Sequence, residues 1–347
     1  MTLRVVTADP LNAEASLPAI GAPVTPVAEF YIRSNFTAPR IDAANWRLRL
    51  HGRVGAVLEL TLAELQELAV ETRRVTLECA GNGRALLEPA TEGTPWGLGA
   101  AGTADFTGVR LRDVLELAAT GDDAVECVFT GADAGDIDGW GRISFQRSLP
   151  LDTATATGPL LAWAMNGAEL TVEHGYPLRL VVPNYYAVAS VKWLVDIEAV
   201  ATPFKGHFQT DRYMYRLAGY PPRPVTLMRV RSLITSHADG DRIAAGDVVI
   251  AGVAWSGHGS IQRVEVAAGA DAPWHEAELE QSASPEIVSG GIAQRWHCRI
   301  TLAAGMHHVR VRATDDAGET QPDEPAWNEL GYGNNVIHGI RLEALSV

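Results

Sequence analysis

The sequence predicts an α+β protein in two parts, a mixed α/β domain over residues 1–222 and an immunoglobulin-like β-sandwich over residues 223–347. Three observations point there. In the first part, stretches that alternate apolar and polar residues are interleaved with short stretches carrying one apolar helical face. A segment rich in Gly and Pro, GYPPRP at 219–224, then reads as a linker. Beyond it short alternating strands recur at 248–255, 261–266, 295–302 and 308–313, with turns such as DDAG at 315–318, which is the pattern of a sandwich.

Composition fits two globular cores: 347 residues, 47% of them hydrophobic. A formal net charge of -14 argues against nucleic acid and anionic membranes as partners, so an anionic substrate needs a local cluster of arginines. Cys79, Cys127 and Cys298 stand far apart, with no CxxC and no zinc spacing. Neither a disulfide framework nor a structural zinc site is expected, which suits a reducing compartment. No run of 18 apolar residues is present, and MTLRVVTADPLNAEAS lacks the apolar core of a secretory signal. A cytoplasmic location is expected, or a periplasmic one if a leader has been removed.

Taken in order, residues 9–27 (DPLNAEASLPAIGAPVTPV) predict an irregular surface wrap. The aromatic run EFYIRSNF at 29–36 carries Arg33, and a surface strand with a solvated guanidinium is an open reading. WRLRLHG at 46–52 alternates as a strand. TLAELQEL at 61–68 starts a helix, with Thr61 as N-cap, Glu64 as its capping-box partner and Leu62, Leu65 and Leu68 on one face.

RRVTLECAGNGRA at 73–85 is the chemically informative stretch. Val75, Leu77 and Cys79 alternate with Thr76 and Glu78 as a half-buried strand. It stops at Ala80-Gly81-Asn82-Gly83, where small turn-forming residues let the backbone approach a bulky ligand. Cys79, with Arg84 five residues on, suits a nucleophile, a soft-metal ligand or a small buried hydrophobe.

GTPWGLG at 93–99 carries Trp96 and walls a cavity. A short amphipathic helix follows at 109–117, and a buried strand at 125–129 delivers Asp133 in a loop rich in Gly and Asp. Residues 161–167 read as a strand into an Asn-Gly turn, and 188–193 as a half-buried strand bearing Ser190 and Lys192. His174, Arg179, Ser190 and Lys192 make a donor-rich set on adjacent strands, as a phosphate with several acceptor oxygens requires. The remaining histidines share no metal spacing, and no dinucleotide fingerprint follows a strand into a helix.

Four separated motifs, FYIRSN, ECAGNGR, PWGLGAAGTADFTGVRLRDVLE and HGYPLRLVVPNYYAVASVKWL, resemble in order the sulfite oxidase family of molybdopterin enzymes. The resemblance implies a molybdopterin-binding catalytic domain of sulfite oxidase fold, carrying a molybdenum-molybdopterin cofactor to which Cys79 supplies the one protein sulfur. It implies that Tyr31, Ile32, Arg33, Ser34, Asn35, Asp133, His174, Arg179, Ser190, Val191 and Lys192 hold the pterin and its phosphate. Arg33, Arg84 and Trp96 would surround an oxyanion pocket, and HFQTDRY at 207–213 resembles the segment bearing the family's active-site tyrosine, here Tyr213. The sandwich would make a homodimer.

The implied activity is oxidation of sulfite, or a related small sulfur oxyanion, by oxygen-atom transfer; the alternatives are a sulfane dehydrogenase-like or other oxo-transfer enzyme and a non-catalytic scaffold. No CxxCH is present, so no haem is expected within this chain and electrons would pass to an external acceptor, a cytochrome or oxygen. Three departures stand out. The family's aromatic run ends Arg-Asn-His, where this chain has Arg33-Ser34-Asn35. Its cysteine loop reads CAGNRR, where this chain has Gly83 before Arg84. Its WNLRG segment becomes WNELG, placing Leu330 where an arginine completes the sulfite pocket. A lost guanidinium weakens binding of a dianion, so the substrate stays open.

Overall fold

The cysteine strand, Val70–Glu78, is the edge of a five-stranded sheet ordered Ala168–Glu169, Leu160–Met165, Ala101–Arg110, Val70–Glu78, with Arg179–Val181 also pairing with Leu160–Met165. A computed structural model describes residues 3–217, 219–280 and 292–346; Met1 and Val347, the outer ends of the two expected domains, lie outside the described residues. A second five-stranded sheet runs Leu58–Leu60, Leu48–Gly52, Leu194–Val200, Glu126–Ile137, Gly141–Pro150, with Leu48–Gly52 and Leu194–Val200 parallel and the other neighbours antiparallel. Leu48, Leu50, Phe129 and Ile197 from this sheet are fully buried, in one apolar cluster with Val109 and Leu161 of the first. Short helices close the layers. Leu62–Gln66 has the expected capping box: Thr61 Oγ1 accepts from the Glu64 N–H at 3.1 Å while a Glu64 carboxylate oxygen accepts from the Thr61 N–H at 2.8 Å.

The second domain is a sandwich. One sheet runs Arg231–Ile234, Gly246–Trp255, Gln294–Leu302, Glu278–Leu279; the other runs Asp241–Ala244, His338–Leu345, Gly305–Asp315, Ile261–Ala268, His275–Glu276. Trp296, Ile250, Val264 and Val309 fill the space between them. Cys298, like Cys79 and Cys127, is a free buried thiol. The linker does not hang free: Arg223–Pro224 pairs with Met214–Tyr215.

Several local expectations are corrected. Residues 9–27 are not an irregular wrap. Leu11–Glu14 pairs with Arg4–Ala8, Leu17–Ile20 is a helical turn capped by Ser16, and Asn12, Ala13 and Glu14 are buried. Asp133 sits inside the long strand Glu126–Ile137, at a register irregularity between Thr130 and Ala134, rather than in a loop. Residues 188–193 are not a strand: a single 3-10 turn, Ala187–Ala189, carries the chain to Leu194, where the strand begins. Nor is the cysteine end of its strand, from Val75 on, half-buried. Thr76 and Glu78 are as buried as Leu77, because the sandwich covers the face that solvent would have had.

Candidate functional site

Cys79 follows the last strand residue, where its N–H still bonds the Ala100 carbonyl at 2.9 Å. The chain then turns: the Asn82 N–H reaches back to the Cys79 carbonyl at 2.9 Å, and Gly83 takes φ +82°, which favours glycine. Gly81 is needed for another reason, since a Cβ there would meet Arg84 Nη1 at 2.6 Å. The loop thus folds its own arginine against its backbone and leaves Cys79 lining two cavities.

Cys79 lines an inner cavity. That cavity gathers Tyr31, Arg33, Ser34, Asn35, Cys79, Asp133, His174, Arg179, Ser190, Lys192 and Tyr213. Arg179 Nη1 donates to the His174 carbonyl at 3.0 Å, and Lys192 Nζ to the Glu173 carbonyl at 2.6 Å and to Ser34 Oγ at 3.2 Å. These are buried cations with little to balance them. Burial pulls Arg179 down to about 10 and, with Arg179 nearby, holds Lys192 well below its usual range. Burial, then Lys192 and Arg179, push His174 down to about 3, so it is a neutral imidazole there. Asp133 is pushed up to about 6 by burial, against the pull of Lys192. Arg179 Nε and Asp133 Oδ1 are both buried with no hydrogen-bond partner. An anion with several acceptor oxygens, such as a phosphate, would relieve that excess of buried positive charge.

The outer cavity shares Arg33, Asn35, Cys79 and Tyr213 with the inner one and adds Arg84, Gly93, Thr94, Phe208, Arg212 and Tyr332. Tyr213 Oη lies 3.3 Å from both Arg33 Nη2 and Asn35 Nδ2. Its backbone follows a π-turn, His207–Asp211, and takes φ +56°; Trp193, beside Lys192, takes φ +51°. Such conformations cost a bulky residue on the order of 1–3 kcal/mol and concentrate at functional sites. Arg147 holds the turn by donating to the Phe208 carbonyl.

Three expected residues line neither cavity. Trp96 is fully buried in the apolar cluster of Phe30, Tyr31 and Cys79. Ile32 pairs its backbone with Ala13, and Val191 packs into the core while its carbonyl accepts from the Leu180 N–H at 2.8 Å. Sequence reasoning missed Glu173 and Trp193 in the inner cavity, Tyr332 in the outer one, and Asn12, whose Oδ1 accepts from Ser34 N–H at 2.9 Å and Arg33 Nη1 at 3.2 Å. Asn12 and Tyr332 lie far along the chain from the residues they touch, so no local pattern marks them.

Residues 35–208 match a family model described as an oxidoreductase molybdopterin binding domain, and residues 223–344 match a Mo-co oxidoreductase dimerisation domain. Sulfite oxidase of Gallus gallus is 30% identical over 97% of this chain and 77% of its own length. The chain belongs to the sulfite oxidase family of molybdopterin-dependent oxidoreductases. Mitochondrial sulfite oxidase of Rattus norvegicus is 31% identical over 99% of this chain, which spans 66% of that enzyme's length. In three dimensions this family member superposes on the sulfane dehydrogenase SoxCD of Paracoccus pantotrophus with a TM-score of 0.86, at 25% identity, covering 100% of this chain and 90% of that one. Its cofactor is molybdenum molybdopterin. The residues present fit that group. The inner cavity offers an unpaired buried donor for a phosphate, Arg179 Nε, with Lys192 beside it, and Cys79 supplies a soft sulfur. Among the described residues no three His, Cys, Asp or Glu side chains are grouped to hold a metal, so Cys79 would rely on the cofactor for the other ligands.

Proposed function

We propose that this chain oxidises a small sulfur species at a molybdenum centre bound through Cys79, with sulfite as the first reading. One observation carries the proposal: Cys79 lines both a cavity furnished for a phosphate-bearing ligand and an outer cavity furnished with guanidinium groups and a tyrosine. When bound, the cofactor supplies two-electron oxygen-atom transfer. Arg179, Lys192 and Ser190 would hold its phosphate, with Asp133 and neutral His174 offering polar contacts to the pterin. Tyr31, Ser34 and Asn35 would close the cavity over it.

Arg33 and Asn35 would orient the substrate, and Tyr213 Oη, already bonded to both, is the group to hold or pass a proton at a substrate oxygen. Arg84 stands behind them. Tyr213 and Arg84 are buried, which strengthens their interactions with a charged substrate. We further propose a homodimer through the sandwich, an external electron acceptor and a cytoplasmic location.

The likeness to SoxCD across the whole chain favours a second reading, oxidation of a sulfane sulfur. Metal analysis of the purified protein, followed by a ferricyanide-reduction assay with sulfite, tests the proposal. About one molybdenum per chain and sulfite-dependent reduction are expected. Protein purified without molybdenum would refute both readings, and a molybdenum-loaded protein inert toward sulfite would leave the second.

A further inference from the structure

Arg84 is enclosed on every side. Its Nε and Nη2 donate to the Leu330 carbonyl at 3.2 and 3.1 Å, and its Nη1 donates to the Thr94 carbonyl at 2.9 Å. One face of the guanidinium packs on Gly81, where even a methyl group would collide with Nη1, Cζ and Nη2. The Tyr332 ring lies on the guanidinium as well, 4.9 Å from Cζ to centroid, and itself stacks on Tyr213 at 5.0 Å with an interplanar angle of 20°. Arg84 therefore spends its edges on carbonyls and its faces on glycine and an aromatic ring.

Arg33, in the same cavity, has its N–H groups engaged as well. Arg33 is spread over Asn12, the Ser34 carbonyl, Asn35 and Tyr213. Around the lining, Arg33, Arg84 and Arg212 share the cavity with Glu92, Asp136 and Asp138, of which Asp136 is also paired with Arg142 at 3.5 Å. Glu92, Asp136 and Asp138 are exposed, which puts the negative charge on the approach side. An incoming dianion meets carboxylates first and a capped arginine last. A monoanion or an uncharged sulfur species loses far less on that route.

We propose that Tyr332 is a specificity-determining residue that masks Arg84, and that the site consequently selects sulfur species carrying at most one negative charge over dianions. The proposal rests on the functional reading above and deepens it.

Calorimetric titration of the molybdenum-loaded protein with sulfate, an unreactive dianion, tests it without turnover. The wild type is expected to bind sulfate with a Kd weaker than about 1 mM. Tyr332→Ala, which uncovers the guanidinium, is expected to bind roughly tenfold tighter. Tyr332→Phe, which keeps the ring, is expected to bind as weakly as the wild type. A wild-type Kd below about 1 mM overturns the proposal. So does a folded, molybdenum-loaded Tyr332→Ala protein that gains no sulfate affinity. If that variant does not fold, Tyr332→Leu takes its place, and the wild-type titration still decides alone. Molybdenum content of the same wild-type preparation is a separate reading: its absence refutes the proposed function, while the sulfate titration still reports on Arg84 and Tyr332.

Discussion

Arg231 Nε of the sandwich lies 2.8 Å from Glu78 Oε1 of the catalytic domain, and both side chains are buried. Glu78 precedes Cys79, so an ion pair across the domain boundary anchors the residue next to the candidate metal ligand. Trp255 Nε1 donates to the other carboxylate oxygen at 2.9 Å, and Asn82 Nδ2 to the first at 3.0 Å. Further along the loop, the Gly333 N–H donates to the Ala80 carbonyl at 2.7 Å and Asn334 Nδ2 to the Gly83 carbonyl at 2.8 Å. The cysteine loop is thus shaped by the second domain as much as by its own strand.

Removing one partner of a buried pair leaves an uncompensated charge. Arg231→Leu is expected to destabilise the protein by about 3–5 kcal/mol in urea denaturation and to lower its molybdenum content. A loss below about 1 kcal/mol would show that the pair does not anchor the loop.

Cys79→Ser keeps nearly the same volume at a buried position, so the fold should survive with little change in Tm. The sulfur is the point of the substitution. Molybdenum retention after gel filtration and turnover should both be lost, and a variant active at wild-type rate would remove Cys79 from the metal-ligand role.

The architecture was legible because its signals are local. Alternation marked the sandwich strands at 248–255 and 295–302, inside the observed Gly246–Trp255 and Gln294–Leu302, and the Thr61 and Glu64 pair marked its helix start, since each depends on neighbours a few residues away. What sequence could not show depends on distant partners. Thr76 and Glu78 look like solvent-facing positions until the sandwich is laid over them. Arg231–Ile234 has no alternation because both its faces are covered, one by Glu78 and Asn82 of the other domain. Asn12 lies in the stretch expected to be an irregular wrap, and only folding brings it against Arg33.

His174 makes stability depend on acidity. Its folded pKa, about 3, lies below the unfolded value of 6.5, so its contribution is complete above pH 6.5 and declines as pH falls toward 3. Between pH 7 and pH 5 the protein without cofactor should lose on the order of 2 kcal/mol from this group. Denaturation of wild type and His174→Asn at the two pH values measures it. Equal slopes in both proteins would exclude His174 as the cause.

Arg179 should act in opposite directions with and without cofactor. Its buried charge, pulled down to about 10, weighs against the fold when no anion faces it. Arg179→Gln should therefore leave the cofactor-free protein at least as stable as wild type while weakening cofactor retention roughly 10- to 100-fold, the size of a charge-assisted contact to phosphate. Arg179→Lys should recover part of that retention. Unchanged molybdenum content in Arg179→Gln would rule out a phosphate contact.

Asn12 holds Arg33 and Ser34 together through one carbonyl oxygen, and its own amide donates to Thr7 Oγ1 at 2.7 Å and to the Pro10 carbonyl at 3.0 Å. The N-terminal hairpin is thereby wired into the wall of the site. Asn12→Ala strands the buried Ser34 N–H and frees one edge of Arg33, a loss of about 1–3 kcal/mol if felt at the substrate. kcat/KM in the ferricyanide assay should fall roughly tenfold, with most of the change in KM because Arg33 orients the bound substrate. Should Tm drop while kcat/KM stays put, Asn12 supports the hairpin alone, and Arg33 keeps its position through Asn35 and Tyr213.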